Sequence, residues 1–155
     1  MLIRAGTVSA AALLGALIAQ YGFGLQPCEL CLAQRYPYAL IMAFSVAAFL
    51  PVPKRIRFAL GLLCGLLFIA DAGIAFYHTG VELHWFSGPT ACTSSGAVGQ
   101  TLEQMRAEIA NAALVSCDQP MVHFLGLSMA AWNAIYAITF TIVTFATAIK
   151  IHAAK

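Results

Sequence analysis

Residues 5–24, 36–50, 58–77 and 126–149 form four apolar runs that water would not tolerate. Crossing the hydrocarbon of a bilayer takes about 20 apolar residues in a helix. A single run in lipid satisfies its own N–H and C=O groups only when helical. The runs predict transmembrane helices over about 5–24, 32–50, 58–77 and 126–149, the second extending the apolar tract that follows Cys31. Composition agrees: 61% of residues are hydrophobic and 9% charged, against about 45–50% and 25% in soluble domains. The expectation is one all-α integral-membrane domain over residues 1–155, a four-helix bundle packed helix against helix and lipid. Pro37 falls near the start of the second helix, where a missing N–H costs least, and Pro51 and Pro53 end it.

Charge predicts the orientation. Arg4, Lys54, Arg55, Arg57, Lys150 and Lys155 flank the termini and the 51–57 turn, with no Asp or Glu among them. Glu29, Glu82, Glu103, Glu108 and Asp118 lie in the other two connections, 25–31 and 78–124. The positive-inside rule puts both termini and the 51–57 turn in the cytoplasm. The two acidic connections then face outward, the periplasm in a Gram-negative cell, where disulfides persist. The first run, preceded by Arg4, also fits a signal peptide, but it is long for one and lacks a small-x-small exit. In the long outer loop, Leu102, Met105, Ile109 and Ala112 share one face of a helix expected over 101–114, with Thr101 and Gln104 as a capping box. A helix lying on the membrane surface and a solvated helix packed on the bundle both fit.

The chemistry sits in those outer connections. Cys28 and Cys31 form a C-x-x-C pair just before a helix, where the dipole and unpaired N–H groups favour a thiolate at Cys31. Cys92 and Cys117 lie in the polar loop. Their 24 intervening residues do not look like a second zinc knuckle, so no metal is expected. Two pairs, one by the hydrocarbon and one by water, suggest an electron relay from dissolved thiols to something lipid-soluble. Cys92 and Cys117 fit a structural staple as well, worth roughly 3 kcal/mol in the chain-entropy model, or a labile disulfide open to attack.

Arg35 lies one helical turn beyond Cys31. It suits holding a thiolate or a quinone oxygen, and it also suits snorkelling to headgroups. His78, where the third helix emerges, is either an inert surface residue or a proton carrier beside a redox site. Cys64, mid-membrane between Gly61 and Gly65, is expected to stay an inert thiol, with the glycines permitting close helix packing. Asp71 is an intramembrane acid, either functional or satisfied by a polar contact. No glycine loop for a nucleotide is present, and no nucleic-acid partner is expected.

Beyond these readings the chain resembles the DsbB family of bacterial inner membranes over nearly its whole length. The resemblance lies in Pro27-Cys28-Glu29-Leu30-Cys31-Leu32-Ala33-Gln34-Arg35, Tyr77-His78-Thr79-Gly80-Val81-Glu82 and Gly88-Pro89-Thr90-Ala91-Cys92. It continues through Ser116-Cys117-Asp118 and Phe124-Leu125-Gly126-Leu127-Ser128-Met129-Ala130-Ala131-Trp132-Asn133. It implies a protein-folding oxidoreductase that reoxidises a periplasmic thioredoxin-fold dithiol oxidase, a DsbA-like partner, and passes electrons to ubiquinone or menaquinone. By position, Cys92 would receive the partner's thiolate, Cys117 would exchange with Cys28, and Cys31 would engage the quinone. Arg35 and His78 would lie at the quinone, and Cys64 matches no redox cysteine. Two other classes compete. One is a vitamin K epoxide reductase type, whose C-x-x-C follows the loop cysteines rather than preceding them. The other is a non-enzymatic scaffold with structural disulfides.

Overall fold

Helix ends position the chemistry of this chain, and local sequence decides each of them. The computed structural model describes residues 1–89, 101–103, 106, 115–120 and 122–153; most of the helix expected over 101–114 lies outside the described residues. The first apolar run forms α1 (Leu2–Leu17), which widens into a π-helical turn over Ile18–Gly22. Gly24, at φ 69°, then takes the chain out of the helix. Next come α2 (Glu29–Ala33) and α3 (Arg35–Ser45), the latter tightening into a 3-10 turn over Val46–Ala48. After a proline-rich turn, α4 runs over Lys54–Glu82. A hairpin of β1 (His123–Phe124) and β2 (Leu127–Ser128) leads into α5 (Met129–Ala153).

Three helical segments are long and apolar enough to cross a membrane: Leu2–Gly22, Lys54–Glu82 and Met129–Lys150. The segment expected to cross second is broken instead. Pro37 falls in the first turn of α3, near its start as expected, but helical conformation already begins at Glu29. Proline has no N–H for the carbonyl four residues earlier and its ring crowds that carbonyl. The carbonyl belongs to Ala33, where α2 stops.

Other ends also move from their expected places. Lys54, Arg55 and Arg57 form the first turn of α4 rather than a loop, with Pro53 as its N-cap and Arg57 donating to the Leu50 carbonyl at 2.7 Å. Three cations there oppose the helix dipole, so their placement answers to something other than helix stability. At its far end α4 outruns the expected 58–77 and keeps His78 and Glu82 helical. It closes in a Schellman cap: His84 takes φ 58°, its N–H bonds to Val81 O, and the N–H of Trp85 bonds to Gly80 O. The fourth helix begins at Met129, because Leu125 and Gly126 both adopt positive φ in a two-residue I′ turn. Ser128 Oγ accepts the Ala131 N–H, and Trp132 Nε1 ties the hairpin down through Phe124 O.

α4 packs along α5 and α1 along α3, with α3 also meeting α4. Leu2, Ala5, Tyr38, Ile41, Cys64 and Phe68 form the core. The ring of Tyr38 meets those of Phe68 and Tyr136 edge-on, and Tyr136 donates to Val8 O across the bundle at 2.7 Å. Large apolar side chains such as Leu14, Leu66, Ile69 and Ile142 face outward, as lipid contact requires. Gly61 and Gly65 each make room for a side chain. A Cβ on Gly61 would strike Met1, and one on Gly65 would lie 2.9 Å from Phe145. Gly65→Leu therefore overpacks the α4–α5 contact, at a cost of about 1–3 kcal/mol. Gly73→Ala meets nothing within 4 Å. Thermal melting of the detergent-solubilised protein should show a clear drop for the first and little change for the second.

Candidate active site

The start of α2 brings two sulfurs together. Cys28 is the N-cap, in extended conformation, and its Sγ accepts the Cys31 N–H at 3.3 Å. One turn of helix then places Cys28 Sγ 3.1 Å from Cys31 Sγ, with Cys28 as the donor. This unequal bond splits the two thiols. Cys31 titrates below the ordinary thiol range, chiefly because Cys28 donates to its sulfur, and this outweighs burial. Cys28 is pushed up to about 12, first by the same bond and then by burial. The neighbouring sulfur favours the Cys31 thiolate.

The last turns of α4 supply the second wall. His78 is buried, 3% exposed, with Nε2 3.6 Å from Cys28 Sγ and 3.7 Å from Glu82 Oε1. The ligand atoms of Cys28, Cys31 and His78 all fall within 4.8 Å of one another, close enough to surround a metal ion. Cys117 is buried at 1% in one cluster with Cys28, Leu30 and Val81, and Cys31, Tyr77 and Val115 pack on it.

Beside these sulfurs lies a cavity of about 360 Å³, between α1, α3, α4, α5 and residues 115–120 and 122. Such a volume lies within the roughly 300–1,000 Å³ typical of small-molecule sites. Ala12, Ala16 and Ala19 of the first helical segment leave this space and make its wall apolar. Cys31 and Arg35 line it, and Arg35 donates to Gln20 Oε1 at 2.7 Å. Gln20 comes from the π-helical turn, a distortion frequent at functional sites. A chain of polar groups closes the inner end. Tyr38 donates to Asn133 Oδ1 at 2.6 Å. Asn133 Nδ2 donates to Gln34 Oε1 at 3.0 Å and Asp71 Oδ2 at 3.1 Å. Gln34 Nε2 lies 3.0 Å from His78 Nδ1.

The family model of the Disulfide bond formation protein DsbB matches residues 1–147. The chain belongs to the DsbB family. A Disulfide bond formation protein B of Cupriavidus metallidurans is 31% identical over 140 residues, 87% of this chain and 83% of the relative. One of Marinobacter nauticus is 32% identical over 137 residues, 83% and 79% of the two chains. A Rickettsia prowazekii protein named as uncharacterized is 27% identical over 129 residues, 82% and 74% of the two. No solved structure matches. Membership and the apolar helices identify a disulfide-forming membrane oxidoreductase.

For a DsbB family member, the geometry gathers Cys28, Cys31, Cys117 and His78 around one point and sets Arg35 on the adjoining cavity. Cys92 lies outside the described residues. Cys117, expected on an accessible loop, is buried, and so is His78, for which the inert surface reading therefore does not hold. Sequence reasoning assigned no part to Gln20, Gln34 or Asn133. Gln34 and Asn133 stood inside the family motifs, but only the fold shows that they meet. Gln20 carried no signal beyond being polar at the end of an apolar run.

The split thiols have a measurable consequence. In reduced protein, iodoacetamide labelling of Cys31 followed by peptide mass spectrometry should reach its midpoint below pH 9, the ordinary thiol value. Cys28→Ala removes the donor and moves that midpoint up. Cys28→Ser keeps an O–H donor and moves it less.

Proposed function

We propose that this protein takes electrons from the dithiol of a periplasmic thioredoxin-fold oxidase and delivers them to a membrane quinone. The observation that carries the reading is the cavity wall, where a thiolate-prone Cys31 and the Arg35 guanidinium border one apolar space beside Cys28 and Cys117. Quinone fits that space on its chemistry: an apolar ring and tail against Ala12, Ala16 and Ala19, and carbonyl oxygens for the cation. As acceptor, ubiquinone or menaquinone takes up two electrons and two protons. The net reaction is dithiol plus quinone giving disulfide plus hydroquinone.

In this mechanism the partner's thiolate attacks Cys92, breaking a Cys92–Cys117 bond, and Cys117 leaves as a thiolate. Cys117 then attacks Cys28, breaking the Cys28–Cys31 bond and releasing Cys31 as the thiolate beside the cavity. Arg35 favours negative charge at that end of the site. Arg35, braced by Gln20, orients the acceptor. The stretch expected over 32–50 makes the fourth crossing, with Cys28 and Cys31 at its outer end and both termini and the Lys54–Arg57 turn in the cytoplasm; the cations opposing the α4 dipole support that side.

The test is quinone reduction by purified protein given a reduced thioredoxin-fold substrate. Serine at Cys28, Cys31, Cys92 or Cys117 should abolish turnover, and Cys64→Ser should not; turnover surviving all four loop changes sinks the reading. Arg35→Ala removes a charge-assisted hydrogen bond worth about 1.5–3 kcal/mol, so the apparent quinone KM should rise about 10- to 100-fold. Gln20→Ala, which frees Arg35 without removing it, should raise KM less. Mixed-disulfide formation at Cys92 should stay near normal in both variants. Topology is checked separately: reporters that fold only in the cytoplasm should be active when fused at Lys155 and inactive at Gln100.

A further inference from the structure

The amide chain behind the cavity constrains the proton on His78. Among the described residues its links come from three parts of the fold: Asp71 and His78 from α4, Gln34 from the α2–α3 junction, and Asn133 from α5. Asp71 is fully buried and its Oδ2 needs a donor. To an ionised Asp71, Asn133 can donate only through its Nδ2 end, because the other end of the amide is an acceptor. The same Nδ2 faces Gln34, so Gln34 must present Oε1 to it. The opposite end of Gln34 is then a donor aimed at His78 Nδ1. A ring nitrogen that accepts carries no hydrogen. Flipping Gln34 would set donor against donor at Asn133, and flipping Asn133 would set acceptor against acceptor at Asp71.

We propose that Gln34 and Asn133, anchored on Asp71, are positioning residues that hold His78 in its neutral Nε2–H form and aim that N–H at the Cys28 sulfur. The other side of the ring agrees. Nε2 faces Cys28 Sγ at 3.6 Å and the Glu82 carboxylate at 3.7 Å, both able to accept. The consequence for chemistry rests on the redox reading above. When a thiolate attacks Cys117 in a Cys28–Cys117 disulfide, Cys28 leaves with the bonding electron pair. The Nε2–H and the Cys31 N–H both face that sulfur as donors. No proton need transfer, because neutral imidazole donates without ionising. The same tautomer denies the Nε2 lone pair to a metal ion, although Cys28, Cys31 and His78 are spaced for one.

The experiment uses nitrogen NMR of the reduced full chain, ¹⁵N-labelled on histidine, in detergent near neutral pH. The chain has four histidines, so His84→Gln, His123→Gln and His152→Gln leave His78 as the single signal. The expected spectrum has an unprotonated Nδ1 and a protonated Nε2. Gln34→Glu presents a carboxylate to Nδ1 and should draw a proton onto it, a loss of the unprotonated Nδ1 resonance. Asn133→Ala cuts the chain from Asp71 and should give a mixture of tautomers. A protonated Nδ1 in the parent chain overturns the proposal without recourse to any variant. So does an unchanged spectrum in a folded Gln34→Glu protein. These readouts need no turnover: an inactive parent chain with the expected spectrum would sink the quinone reading and leave the tautomer assignment standing.

Discussion

Polar side chains set among apolar helices must find one another, because lipid offers them no partner. That constraint ties the cysteine-bearing half of this bundle together. Asn133 of α5 takes the Tyr38 hydroxyl of α3 and gives its N–H groups to Gln34 and to Asp71 of α4. Interhelical hydrogen bonds in membranes contribute about 0.6 kcal/mol each, up to roughly 1.7. Their sum matters less than their exclusivity: with one partner removed, the others are orphaned in a low-dielectric interior. Asp71 already carries a cost, since its Oδ1 has no partner among the described residues. The atoms that register the helices are also those that reach His78, so the scaffold and the site cannot be altered independently.

The two sulfurs of the C-x-x-C divide their labour through one hydrogen bond. A symmetric dithiol would share the negative charge, whereas here the bond favours the thiol at Cys28 and the thiolate at Cys31. A lowered pKa raises the thiolate fraction of Cys31 at any given pH, though each anion is a weaker nucleophile. A larger fraction is worth more where the site must hold charge against an apolar cavity wall. The asymmetry originates in the capping position. Cys28 at the N-cap is fixed by the Cys31 N–H, so its S–H is aimed before any ligand arrives.

The hydrophobic runs made three of the helices legible, because length and apolarity suffice to mark 2–22, 54–82 and 129–150. They misjudged the ends, where particular local bonds decide. The Schellman cap at His84 and the I′ turn at Leu125 and Gly126 depend on positive φ at residues that do not announce it. Pro37 near the start of α3 was visible, but the short helix before it was not, because its start is fixed by Cys28 capping α2. In the site, chemistry-bearing types stood out: cysteines, a cation one turn away, a histidine. Gln20, Gln34 and Asn133 did not, since an amide reveals its role only through the atoms it faces. The burial of Cys117 was equally hidden, for nothing in a polar loop indicates which of its residues folds back on the helices.

That burial bears on the order of exchange. A thiolate from another protein needs an open line to the sulfur it attacks, and at 1% exposure Cys117 offers little. Sulfurs already packed beside it face no such barrier, and those are Cys28 and Cys31. The chain has five cysteines, and Cys64 is sealed within the core. In the proposed reading the external dithiol enters at Cys92, and Cys117 is the internal carrier. The interior position of Cys117 then has a use in the proposed reading. It keeps the electron-rich end of the relay away from stray thiols and next to Cys28, whose bond to Cys31 is the last to open before charge reaches the cavity.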